Sequence, residues 1–231
     1  MLKATIIGDC HSNRLLEHWK PEDLVQFKIW GRAGQSAWGF NTASKKLLNR
    51  ESSKIEKLPN FLTSYDSEEE DKNQKKLKSI FSSIVDEGIV FSWLGYIDIK
   101  IDLPENDDTE ECVIRYISSL KNYFKKAKVV VIEPFPQFIP YIGIKEENLK
   151  EWSWEERKKY NNEFIHYLKK HSAGFAEIIT QEQIFNFLKI KQNDMTIDIA
   201  RKNEDGTISD ALNSYYMKKI YDYLTNFVLK M

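Results

Sequence analysis

Five runs of β-branched and aromatic residues, each of strand length, alternate along the chain with segments of helical period: Ala4–Ile7, Leu24–Trp30, Ile89–Leu94, Lys128–Pro134 and Glu177–Thr180. Apolar runs that are continuous rather than alternating indicate strands buried on both faces, the pattern of a parallel sheet covered by helices on each side. Helical periodicity falls at 13–19, 73–86, 109–126, 154–171 and 210–229. The clearest of these segments puts Val113, Ile117, Leu120 and Phe124 on one stripe, with Asp108 and Glu111 spaced as a capping box. In the last, Leu212, Tyr216, Ile220, Tyr223 and Phe227 share a face. The expected fold class is α/β, a three-layer α/β/α sandwich around a mainly parallel five-stranded sheet.

A chain of 231 residues, 42% apolar and 13% aromatic, has enough core-forming material for one sizeable core, so one domain over residues 1–231 is expected. Two stretches interrupt the alternation and are expected to be surface excursions. Residues 49–76 are rich in Ser, Glu, Asp and Lys and include the acidic run Ser67–Asp71, and such runs are usually solvated. Residues 134–154 place Pro134, Pro136 and Pro140 among Phe135, Phe138, Tyr141 and Ile142. These aromatics line either a pocket or the underside of a helix.

A formal charge of −1 points to no nucleic-acid partner and no anionic membrane. Cys10 and Cys112 fall on a turn and a helix, which is no disulfide framework and fits a reducing compartment. The apolar run Ala4–Ile7 is too short for a signal peptide or a span. The expectation is a soluble, unprocessed chain, cytoplasmic or virion-associated. A Lys-, Ile- and Asn-rich composition fits an AT-rich genome, and a bacteriophage structural or accessory protein is one expectation that follows. No Gly-x-Gly-x-x-Gly loop or P-loop is present, and no His, Cys and carboxylate spacing resembles a metal site, so no cofactor and no metal are expected.

The chemistry-bearing residues cluster at the strand and helix junctions. Gly8-Asp9-Cys10-His11-Ser12 follows the first strand. Trp30-Gly31-Arg32-Ala33-Gly34-Gln35-Ser36 follows the second, and Phe91-Ser92-Trp93-Leu94-Gly95-Tyr96-Ile97-Asp98 spans the third and its turn. Asp205-Gly206-Thr207-Ile208-Ser209-Asp210-Ala211-Leu212-Asn213 precedes the last helix. These four blocks, in this order, resemble those of the SGNH or GDSL hydrolases, which are α/β/α esterases, lipases and carbohydrate deacetylases. The resemblance implies the family's flavodoxin-like fold. It aligns Cys10 with the nucleophilic serine, and Gly34 with a glycine that gives a backbone N–H to the oxyanion hole. Gly95 aligns with the third block's glycine, Ile97 with its asparagine, and Asp210 and Asn213 with the Asp-x-x-His pair.

Acyl transfer of this kind needs a nucleophile, a base, an orienting carboxylate and N–H donors for the oxyanion. Here the serine, asparagine and histidine are all replaced. A cysteine thiol titrates near 8.5 and needs a basic or cationic neighbour for activation. Asn213 is no base, and of the four histidines only His11 adjoins Cys10. Ser12, the other candidate nucleophile, is also placed to cap the first helix. His18, His166 and His171 read as structural or solvent-facing.

Two function classes follow. In the first, the scaffold has lost most or all esterase activity and binds a carbohydrate, an acyl ester or a protein partner, its pocket lined by Asp9, Cys10, Gly34, Gly95 and Asn213. In the second, it is an active esterase or carbohydrate O-deacetylase with Cys10 as nucleophile, Asp210 nearby, and His11 or water moving the proton. Trp30, Trp38, Phe40, Trp93, Tyr96, Phe135, Phe138 and Tyr141 form either an aromatic rim for sugar rings or ordinary core.

Overall fold

The computed structural model describes residues 2–9, 12, 14–20, 22–31, 37, 88–96, 98–99, 108–135, 154–190, 200–202 and 208–231. Five parallel strands form the sheet: β1 (Leu2–Gly8), β2 (Val25–Gly31), β3 (Ile89–Trp93), β4 (Lys128–Ile132) and β5 (Glu177–Ile179). Their order is β2-β1-β3-β4-β5. All five coincide with the apolar runs because a strand buried on both faces has no polar side to break the run. The excursion at 49–76 and the helical pattern at 73–86 lie outside the described residues.

Among the described residues four helices flank the sheet: α1 (Thr109–Tyr123), α2 (Trp154–Ser172), α3 (Gln181–Leu188) and α4 (Ser214–Leu229). On one face, Cys112, Val113, Tyr116, Ile117 and Leu120 of α1 and Tyr160, Phe164 and Leu168 of α2 pack on Ile7, Val90, Val129 and Val131. On the other, Ile184, Phe185 and Leu188 of α3 and Met217, Ile220, Tyr221, Leu224 and Val228 of α4 cover Ala4, Ile6, Phe27, Phe91, Val130 and Ile179. The three-layer α/β/α sandwich is therefore as expected.

Local differences from the sequence reading have identifiable causes. Residues 14–18 form a 3₁₀ turn instead of an α-helix; Pro21 follows closely and disfavours the helical region for the residue before it, so a short, tight element results. The helix expected from Asp210 begins at Ser214, because 208–212 form β7 (Ile208–Leu212), which pairs antiparallel with β6 (Ala200–Lys202). α3 went unread, although Thr180 accepts the Gln183 N–H and the Gln183 side chain accepts the Thr180 N–H, a complete capping box. At α1, Asp108 accepts the Glu111 N–H at 3.1 Å, as the spacing predicts.

Candidate functional site

Register brings the ends of the first three strands to one level, since Gly8 pairs with Gly31 on one side and with Trp93 on the other. The chain crosses to β2 on one side of β1 and β3 lies on the other, so the switch in strand order falls beside β1. Ligands of open α/β sheets sit at such a point, outside the strand carboxyl ends. All four sequence blocks adjoin this edge or the start of α4.

Gly8 is required by crowding. A Cβ there would meet the Ser12 side chain, with Ser12 Cβ at 2.6 Å, and would lie 3.1 Å from the Trp93 carbonyl oxygen. The Ser12 hydroxyl is fully buried and donates to the Asp9 carbonyl at 2.8 Å. Asp9 itself is 2% exposed. Gly95 has φ +111°, and a Cβ would come within 2.6 Å of Phe164 and 3.3 Å of Pro134 Cγ, so both its dihedral and its surroundings exclude a side chain.

Asn213 is the N-cap of α4, its Oδ1 accepting the Tyr216 N–H at 3.2 Å. Arg14, on the 3₁₀ turn, donates from Nη1 to the Leu212 carbonyl, joining the segment after β1 to the residue before Asn213. Asp210 lies in β7. Cys10, His11, Gly34 and Ile97 lie outside the described residues. Of the sequence-derived candidates, Asp9, Gly95 and Asn213 are thus placed with their surroundings, and Asp210 by its strand.

The described histidines serve other contacts. His18, the last residue of the 3₁₀ turn, lies near Lys218 and Asp222 of α4, and burial pulls its pKa below the ordinary 6.5. His166 is exposed, its ring edge-on to Tyr167. His171 Nε2 lies 3.1 Å from Glu110, whose carboxyl is held below its usual range by hydrogen bonds first from Lys170 and then from His171. α2 ends at Ser172 and leads into the amino end of β5, so His171 sits toward the edge of the sheet opposite the candidate site. Trp93, Tyr96 and Phe135 are core, each at most 5% exposed, with Trp93 edge-on to Phe135 at 5.1 Å. Trp38, Phe40, Phe138 and Tyr141 lie outside the described residues.

Sequence reasoning missed the buried pair Glu133 and Gln181 at this edge, and it missed the partner of Asp98 in the third block. Glu133, after β4, accepts the Gln181 N–H at 2.7 Å and pairs with Lys169 at 3.1 Å. The Gln181 amide donates to Asn161 Oδ1 at 3.0 Å and to the Pro134 carbonyl, which pins the start of the 134–154 excursion. Asp98 accepts the Ala37 N–H at 2.6 Å, a contact across 61 residues. Neither had a local sequence signal, because each partner is distant in the chain. Among the described residues no group of three or more His, Cys, Asp or Glu is arranged to hold a metal ion, and no helix is long and apolar enough to cross a membrane.

The sequence matches no protein-family model and no curated protein. Solved structures do resemble it. An inhibitor-bound aryl esterase from M. smegmatis is 10% identical, with 100% of this chain and 99% of that one covered at a TM-score of 0.56. A member of the lipolytic G-D-S-L family from Veillonella parvula is 10% identical, with both chains covered in full and a TM-score of 0.52. A carbohydrate esterase of family 3 from Talaromyces cellulolyticus is 12% identical, covering 100% and 97%, at 0.51. The chain has the fold of the SGNH/GDSL-type esterases and lipases.

Proposed function

We propose that this chain is a single SGNH/GDSL-type domain over residues 1–231 in which ester hydrolysis is lost or much reduced and the site at the strand carboxyl ends serves a binding or structural role. The observation that carries this reading is Asn213. Where the resemblance puts the catalytic histidine stands an amide that cannot take a proton near neutral pH, and it holds the first turn of α4. The described histidines add support, since His18 lies near Lys218 and Asp222 of α4, His166 is solvent-exposed and His171 pairs with Glu110. The ligand classes we propose are acyl esters and acetylated carbohydrates, in keeping with the esterases whose fold it shares; a protein partner is the alternative occupant. A bacteriophage structural or accessory protein is the setting suggested by the composition.

The competing reading is an active esterase or carbohydrate O-deacetylase with Cys10 as nucleophile, Asp210 beside it, and His11 or water as proton carrier. It draws on the second block, after which Ala37 gives its N–H to Asp98. Hydrolysis of p-nitrophenyl acetate and of an acetylated sugar, with native protein and with Cys10→Ala, Cys10→Ser and Asn213→His, separates the two. The expected result is no turnover by native protein, with activity emerging only in the Cys10→Ser, Asn213→His double variant. Native turnover that disappears in Cys10→Ala would sink the noncatalytic reading.

A further inference from the structure

Gly95, after β3, is closed in by two neighbours: a Cβ there would meet the Phe164 ring at 2.6 Å and Pro134 Cγ at 3.3 Å. Phe164 belongs to α2 and Pro134 follows β4, so this part of the strand carboxyl edge is shaped by two elements distant in the chain. One side chain reaches both. The Gln181 Nε2 amide donates to Asn161 Oδ1 at 3.0 Å and to the Pro134 carbonyl oxygen. Asn161 lies three residues before Phe164 on α2, a spacing that puts the two on one side of the helix, and both are buried, as Gln181 is. Gln181 is itself fixed, because it is the first residue of α3 and its own N–H donates to Glu133 Oε2 at 2.7 Å. α2 packs on one face of the sheet and α3 on the other, so the carboxamide joins the two helical layers around the carboxyl end of β4. Both hydrogens of the side-chain amide are used. A buried amide satisfied in this way admits few arrangements, since hydrogen bonds are angular and a lost partner is costly.

We propose that Gln181 is a positioning residue of the candidate site: its carboxamide, bonded to Pro134 directly and to α2 through Asn161, holds Pro134 and Phe164 against Gly95 and so sets the side of the site between β3 and β4. This role depends on the reading above only in taking the strand carboxyl edge as the site. It is the same whether or not ester chemistry survives.

Amide hydrogen exchange followed by NMR on the full chain tests it, comparing native protein with Gln181→Met and Gln183→Ala. Gln181→Met keeps the length of the side chain and removes both donors. Gln183→Ala weakens the same helix through its capping box and leaves the carboxamide of Gln181 in place. The reporter is the Ile99 amide, which donates to the Gly95 carbonyl at 3.0 Å. In native protein the side-chain NH₂ of Gln181 is expected to exchange slowly and to show nuclear Overhauser contacts to Asn161 and Pro134. In Gln181→Met the Ile99 amide should exchange about threefold to tenfold faster, the range for losing one ordinary hydrogen bond, and the Gly95 amide resonance should shift. Amides of β1 should keep their protection, and Gln183→Ala should leave Ile99 as in native protein. A Gln181 NH₂ that exchanges freely in native protein overturns the proposal, as does an Ile99 amide unchanged by Gln181→Met. Equal acceleration of Ile99 in Gln183→Ala, or of the β1 amides in Gln181→Met, overturns it in favour of general support of the fold. Failure of Gln181→Met to fold does the same. None of these readouts depends on ester turnover, so this proposal and the noncatalytic reading stand or fall separately.

Discussion

On the face of the sheet covered by α1 and α2, the interior holds hydroxyls, a thiol and a carboxylate. Ser92 Oγ and the Tyr116 hydroxyl lie 2.7 Å apart, and Cys112 bonds to Asp98. On the face covered by α3 and α4, the centre is aromatic and apolar. Phe91 meets Phe27 at 6.2 Å and Phe227 at 5.8 Å, edge-on in both cases, and Phe27 meets Tyr221 at 5.5 Å. The alternation within β3 makes the division, sending Phe91 and Trp93 one way and Val90 and Ser92 the other. Each face ends at a different half of the candidate site. The polar face ends at Asp98 and the Ala37 amide, whereas the apolar face ends at Leu212, with Arg14 on its carbonyl and Asn213 next in the chain. Apolar area stabilises both faces, and on the α1/α2 side hydrogen bonds add direction, since they are angular and apolar contact is not.

Substitutions in matched positions bring this contrast to a test. Phe91→Ala should cost about 3–5 kcal/mol in chemical denaturation, the range for removing a fully buried aromatic ring. Tyr116→Phe should cost less, about 1–3 kcal/mol, because only a hydroxyl is lost and the Ser92 Oγ is left without its partner. Adding Ser92→Ala to Tyr116→Phe should recover part of that loss, a non-additivity that a double-mutant cycle measures. If Phe91→Ala proves no worse than Tyr116→Phe, the division between the faces fails.

Asn213→Ala should cost about 1 kcal/mol, the usual value of an N-cap, and Asn213→Asp should restore most of it. The smallest effect concerns His18, at the end of the 3₁₀ turn, whose pKa burial lowers from 6.5, with the nearby charges of Glu17, Lys218, Arg14 and Asp222 acting in both directions. The fold favours the neutral ring, so its contribution is complete above pH 6.5 and is lost as pH falls from there through the folded value. Urea midpoints at pH 7.5 and 5.5 should therefore separate less in His18→Gln than in native protein. An equal separation would place the acid sensitivity elsewhere.

The strands were legible because burial on both faces leaves an unbroken apolar run, and α1 because its stripe and Asp108 agree. α4 was legible in its body, yet the buried line runs through Met217, Ile220, Tyr221, Leu224 and Val228, with Tyr216, Tyr223 and Phe227 at its margin. Its start was misplaced because apolar residues just ahead of a helix can extend its period; Asn213, a preferred capping residue, marked the true boundary. α3 has only eight residues, too few for periodicity to identify, although Thr180 and Gln183 stood at capping-box spacing. At the site, Gly8, Asp9, Gly95 and Asn213 were found through their place at element ends. Asp98 was visible as a member of the third block, but its bond to Ala37 was not, since pairing between residues 61 apart has no local pattern.

The packing of α4 against the 3₁₀ turn, β1, β2 and α3 has a consequence for synthesis. A chain emerging from the ribosome presents β1 and β2 well before the helix that covers them, which starts at Ser214. Until then Ala4, Ile6, Phe27 and Phe91 lack that cover, and a nascent chain stalled before that point would carry an adhesive apolar face. Folding of this half must wait for the last helix, which makes premature termination a direct route to aggregation.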